Sequence, residues 1–117
     1  MRLLSLALLP LLAACAGLTA PPDSLDAAAR DYVVLQLAIG EKEEGYIDAF
    51  YGPEALKAEG KAIAAAEGLP QLSARVAALS ARIAALPQKG DTARRARFLQ
   101  AQLTAAATRL RMLQGEK

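Results

Sequence analysis

Two apolar stripes with the same spacing stand on either side of a short break near the end of the chain. Leu72, Val76, Leu79, Ile83 and Leu86 are separated by 4, 3, 4 and 3 residues, and Thr92, Ala96, Leu99, Leu103, Ala106, Leu110 and Leu113 repeat that rule. Residues so spaced fall on one side of a helix and form a seam with a second helix. The first stripe predicts a helix from Pro70 to about Leu86, and the second a helix capped by Asp91. Pro87 and Gly90 break the chain between them. A connection of about four residues leaves consecutive helices no arrangement but antiparallel neighbours.

The preceding segment reads as two further helices. Asp23 or Ser24 suits the N-cap of a helix running to about Ile39, with Leu25, Ala29, Tyr32, Val33, Gln36 and Ile39 near one face and Gly40 as its stop. From Glu41 to Pro53 the spacing predicts a loop, then one or two helical turns from Tyr46 to Gly52. The carboxylates of Glu41, Glu43, Glu44 and Asp48 lie here, but without a glycine-turned calcium loop, and a solvated acidic loop is the expectation. Pro53 suits the first position of another helix to about Glu67, burying Leu56 and Ile63 with Ala55, Ala62 and Ala66. The fold class expected is therefore all-α: a small antiparallel bundle of about four helices over 23–117, with a coiled-coil-like hairpin formed by the last two.

Charge is divided along the chain. Pro21 to Glu67 holds ten acids and four bases, whereas Gly68 to Lys117 holds nine bases and two acids. Taking Val76 and Ile83 as position a of a heptad puts Arg75 and Arg82 at g, and taking Leu103 and Leu110 as a puts Arg95 and Arg109 at g. In an antiparallel pair these arginines share one side of the seam and repel one another. Something anionic must lie over them. The acidic first half is the nearest source, which would bring the first two helices onto that side; anionic lipid or another polyanion is the rival. Ala74, Ala77, Ala78, Ala81, Ala84 and Ala85 fill the rest of the third helix, as expected of a helix buried on several sides.

The other end of the chain addresses location. Arg2 precedes an apolar run from Leu3 to Leu12, in the layout of a secretory signal peptide. The run is about half the roughly 20 residues that a spanning helix needs. Leu12, Ala13, Ala14 and Cys15 follow, and this order resembles the lipobox of bacterial lipoproteins. The resemblance implies a leader over 1–14, cleavage before Cys15, acylation of its thiol, and a tether over 15–22. Each buried acyl methylene contributes about 0.8 kcal/mol to membrane retention. Ala16, where aspartate would signal inner-membrane retention, implies the periplasmic face of the outer membrane. Cys15 is the only cysteine, so no intrachain disulfide can form.

Asp31 to Gly40 reads Asp-Tyr-Val-Val-Leu-Gln-Leu-Ala-Ile-Gly, and Gly45 to Pro53 reads Gly-Tyr-Ile-Asp-Ala-Phe-Tyr-Gly-Pro. This resembles the start of a group of uncharacterised bacterial proteins related to zinc-dependent peptidases, in which a similar helix leads to an Asp-Ala-Tyr-Tyr-Gly-Pro turn. The Arg-Leu-Arg-Met-Leu run from Arg109 to Leu113 also fits their helical opening. Those relatives carry a His-Glu-x-x-His helix well downstream. This chain has no histidine, so no metal-binding or catalytic residue carries over.

With no histidine, imidazole acid–base chemistry and histidine-ligated zinc are ruled out. Arg94, Arg95 and Arg97 stand without interleaved aromatics or a recognition motif, so nucleic acid is not an expected partner. The reading is a non-enzymatic envelope lipoprotein without cofactor, held to the membrane through Cys15 and acting on a protein partner or as a homodimer. The alternative is the noncatalytic N-terminal part of a larger exported metallopeptidase-like protein.

Overall fold

The computed structural model describes residues 22–117. The leader, the lipobox residues Leu12, Ala13 and Ala14, the lipidation candidate Cys15 and the tether up to residue 21 lie outside the described residues.

Four helices and no strand are found among the described residues: α1 (Leu25–Gly40), α2 (Glu54–Ala66), α3 (Leu69–Ala85) and α4 (Asp91–Leu113). At the start of α1 the Ser24 hydroxyl accepts a hydrogen bond from the Ala27 amide at 3.1 Å, satisfying one donor that the first helical turn leaves over. At the start of α3 the Gln71 side chain reaches back to accept from the Gly68 amide at 3.1 Å, with Pro70 inside the first turn.

The α3–α4 hairpin buries the residues that its two stripes place on the seam. Leu72, Val76, Leu79 and Ile83 are buried on α3, facing Ala96, Leu99, Leu103, Ala106 and Leu110 on α4. α1 lies along this hairpin, antiparallel to α3 and parallel to α4, and completes one apolar core with Leu25, Ala28, Leu35, Ala38 and Ile39. No polar or charged residue is buried among the described residues.

Helix α2 reaches this core by way of α1. Its backbone meets α1 and neither helix of the hairpin. The buried positions of α2 are Gly60 and Ala64; Leu56 and Ile63 are half-buried, and Ala55, Ala62 and Ala66 are exposed, contrary to the face expected from sequence. The reason is proximity. A Cβ at Gly60 would stand 2.8 Å from Leu37 Cβ and 3.1 Å from the backbone of both Val34 and Ala38. Two helices this close need a residue without a side chain at the crossing, and the small-residue edge of α2 takes precedence over its larger apolar residues.

Because α2 lies on α1 and not on α3, Ala74, Ala77, Ala78, Ala81, Ala84 and Ala85 are all exposed. The helix buried on several sides is α1 instead, where Val34, Leu35, Leu37, Ala38 and Ile39 are buried almost consecutively and Ala29, Tyr32, Val33 and Gln36 are only half-buried.

Two further local expectations change. The segment from Tyr46 to Gly52 is not helical. A helix of one or two turns is too short to hold by its own hydrogen bonds, and Pro53 disfavours helical geometry at the residue before it. The chain instead turns at Gly45, φ 80°, and drops Tyr46 against the core. Asp91 is the first residue of α4 and not its cap; Gly90 precedes it at φ 54°, and the Asp91 carboxylate pairs with Arg94.

Gly60→Ala is expected to lower the unfolding free energy by about 1–3 kcal/mol through overpacking, although alanine is the better helix former by about 1 kcal/mol. Leu103→Ala, at a fully buried seam position, is expected to cost about 2–5 kcal/mol. Denaturant unfolding followed by circular dichroism checks both.

Candidate functional site

The four arginines that the heptad placed on one side of the seam are each met by a carboxylate from the first half of the chain. Arg82 receives two. Its Nε lies 2.6 Å from Asp23 Oδ2 and one terminal nitrogen 2.8 Å from Asp23 Oδ1, while the other lies 2.5 Å from Asp31 Oδ2. Arg75 donates two bonds to Glu67, at 2.7 and 2.6 Å, in the short link between α2 and α3. Arg95 reaches Asp26 in the first turn of α1 at 2.8 Å. Arg109 donates through Nε to Glu43 at 2.9 Å and through a second nitrogen to the same carboxylate.

The pairs of Arg82, Arg95 and Arg109 are clasps between α1, with its flanking residues, and the hairpin, whereas the Arg75 pair ties α3 to the link before it. Asp26 meets Arg95 near the start of both α1 and α4, and Glu43 meets Arg109 where both are ending, so the two pairs fix the register of parallel helices. Arg82 does the same for the antiparallel partner α3. Guanidinium and carboxylate groups have matching fork geometry, so the two-bond pairs of Arg82 with Asp23, Arg75 with Glu67 and Arg109 with Glu43 fix orientation as well as distance.

The charges respond accordingly. The hydrogen bonds from Arg82, Arg109 and Arg75 hold the carboxyls of Asp23, Glu43 and Glu67, respectively, below the ordinary carboxylate range. The same bonds raise the arginines, Arg82 most of all because Asp23 and Asp31 both accept from it. Burial pushes the Tyr46 hydroxyl up, and that hydroxyl donates to Gln36 Oε1 at 2.5 Å, tying the loop to α1.

Two clefts flank α1. One, of about 300 Å³, lies between α1, α2 and α3; Val34, Leu35 and Ile63 form its apolar wall and Arg75, Arg82, Asp31 and Glu59 its charged rim. The other, of about 480 Å³, lies between α1, the loop after it and α4. It is lined by Tyr32, Val33, Tyr46, Ile47, Phe50 and Ala105, with Gln36, Gln102 and Arg109 as its polar members. Glu41, Glu43, Glu44 and Asp48 do not converge; among the described residues no three acids or cysteines gather as metal ligands.

Sequence reasoning found the four arginines and the half of the chain that faces them, but not the individual partners. The second cleft went unseen. Its signal was present as a second 4-3-4-3 stripe on α4, Phe98, Gln102, Ala105, Arg109 and Met112, beside the seam stripe.

The lowered carboxyls of Asp23, Glu43 and Glu67 fix a sign. A group whose pKa is lower folded than unfolded contributes stability fully above its unfolded value, about 4 for Asp and Glu, and that stability is lost as pH falls through the folded value. Stability is therefore expected to be flat from neutral pH to about pH 5 and to fall below about pH 4. Arg82→Met is expected to destabilise most at neutral pH, with the difference from the wild type narrowing in acid as Asp23 becomes protonated. Denaturant midpoints taken across pH check this.

Comparison with protein-family models, with curated proteins and with solved structures returns no match.

Proposed function

We propose that this protein is a lipid-anchored component of the cell envelope whose helical domain serves as a non-catalytic interaction module. The observation that carries the reading is the order Leu12, Ala13, Ala14, Cys15 directly after a short apolar run that begins behind Arg2. On this reading residues 1–14 are a signal peptide, Cys15 becomes the acylated first residue, and Ala16 directs the protein to the periplasmic face of the outer membrane. The membrane is then a partner through the acyl chains and not through a spanning helix; among the described residues no helix is long and apolar enough to cross one.

The arrangement of charge supports a structural role for the domain. Arg75, Arg82, Arg95 and Arg109 are engaged with carboxylates of the same chain, which favours the acidic first half over lipid headgroups as their anion. The α3–α4 hairpin buries its seam residues, leaving the outward faces of α3 and α4 to meet a partner. One of these faces favours a second reading. The exposed alanines of α3 would suit a further domain packed on them, as in the N-terminal part of a longer metallopeptidase-like protein. An adjoining reading frame that encodes a His-Glu-x-x-His helix, and whose product is recovered with this chain, would favour that reading.

Metabolic labelling with palmitate tests the anchor. The full chain is expected to take up label and to sediment with membranes, and Cys15→Ser is expected to lose both properties. A wild-type chain that takes up no label would contradict the proposal.

A further inference from the structure

We propose that the cleft between α1, the loop after it and α4 binds a proline-rich peptide segment in its extended left-handed conformation, with a basic residue beside the prolines. The proposal rests on the interaction-module reading and names the chemistry of the partner. The chain holds three tyrosines and two phenylalanines and no tryptophan, and Tyr32, Tyr46 and Phe50 all line this one cleft. All three are half-buried, so their rings are held in place and still reachable. The volume of about 480 Å³ is that of a ligand cleft, commonly about 300–1,000 Å³.

The polar groups select the kind of ligand. Gln36 accepts from the Tyr46 hydroxyl through Oε1, and its amide nitrogen meets no acceptor among the described residues. Gln102 and the Tyr32 hydroxyl make no side-chain hydrogen bond there. Arg109 holds Glu43 through Nε and one terminal nitrogen, which leaves the other terminal nitrogen to donate elsewhere. Free donors therefore outnumber free acceptors in the cleft. A ligand that answers them is rich in acceptors and poor in donors. A run of prolines has that character: proline has no backbone N–H, and the extended proline helix makes no internal hydrogen bonds, so its carbonyls are all free. A sugar hydroxyl donates as readily as it accepts and answers the inventory less well. Aromatic-lined grooves are also the surfaces on which proline-rich segments dock.

The spacing agrees. Gln102 and Arg109 are seven residues apart on α4, which sets their donors about 10 Å apart along the helix axis. One turn of the extended proline helix, three residues, advances about 9 Å, so the two donors meet carbonyls one turn apart. Ala105 lies between them and leaves room for a ring.

Charge sets the rest of the partner's chemistry. An anion is also rich in acceptors, but the loop that forms one wall of the cleft carries Glu41, Glu43, Glu44 and Asp48 against Lys42 alone. The Lys42 ammonium is engaged by the Ala64 carbonyl on α2, and Arg109 is neutralised by Glu43. Glu44 and Asp48 have no base at ion-pair distance among the described residues. The wall repels an anionic ligand and favours a lysine or arginine next to the prolines.

The test is titration of the full chain, purified in detergent, with a synthetic peptide of about ten prolines ending in lysine. Without tryptophan, and with two of its three tyrosines lining the cleft, the chain reports occupancy by tyrosine emission, because the probe has no aromatic ring. A saturable change is expected. Glutamate in place of the probe's lysine is expected to weaken binding about threefold at low salt, with the difference vanishing at high salt. Gln102→Ala is expected to weaken it about tenfold. Ala105→Leu, which adds bulk in the cleft at an exposed position, is expected to abolish binding with the helical melt unchanged, whereas Ala81→Leu on the exposed face of α3 binds as the wild type does. The proposal is overturned by the absence of a saturable change in a chain that melts cooperatively, by an equal response to a glycine–serine peptide ending in lysine, or by a response to chitotriose in place of the peptide. Palmitate labelling reads Cys15 and not the cleft, so failure of the anchor leaves this result standing, and an anchored chain that binds no probe defeats the ligand alone.

Discussion

Arginines on the flank of a helical hairpin need an anion over them, and most of the architecture follows from how this chain supplies one. The seam of α3 and α4 is apolar and could form without help, but it brings Arg75, Arg82, Arg95 and Arg109 to the same flank. α1 takes that flank because Asp23 and Asp26 lie at its start, Asp31 in its second turn and Glu43 just beyond its end. Apolar burial then supplies most of the free energy, since Leu25, Ala28, Leu35, Ala38 and Ile39 enter the core only when α1 is seated. The charges decide the placement. Exposed ion pairs contribute little to stability individually, but a helix shifted by a turn would leave several arginines facing one another.

The place of α2 follows from that of α1. With one side of α1 on the hairpin, the other still carries Val34 and Leu37, and α2 covers them at the shortest distance its sequence allows. Gly60 and Ala64 are the contact. Arg30 to Glu59 at 2.6 Å and the Lys42 ammonium to the Ala64 carbonyl at 2.6 Å hold the two ends of this crossing. The far side of α2 and the alanine face of α3 remain in solvent as a result.

The hairpin was the most legible part of the chain. Its 4-3-4-3 spacing needs no knowledge of any other element, because the two helices satisfy each other's pattern. The all-helical class and the acidic cover over the arginines followed from the same stripes. What could not be read was which side of each outer helix is buried. Periodicity on α2 favours Leu56 and Ile63, but steric approach at Gly60 outweighs it. Alanine on α3 is equally compatible with burial and exposure, so the side on which α2 settles decides it. The acid partners of the arginines stayed hidden for the same reason, since Glu67 and Glu43 are set by loop geometry and not by helical register. Tyr46 to Gly52 has helix-forming residues, but the adjoining glycines and Pro53 leave too little length for a helix.

The claim that charge sets the register of α1 on the hairpin is tested most directly by a double-mutant cycle at one clasp. Glu43→Arg and Arg109→Glu each place like charges together at the end of α1 and α4, and both should destabilise. The double exchange restores an opposite pair in reversed order, so it is expected to recover most of the lost stability, with the recovery weakening as salt is raised. Additive losses in the double variant, unaffected by salt, would show that α1 is seated by apolar packing alone and would contradict the account.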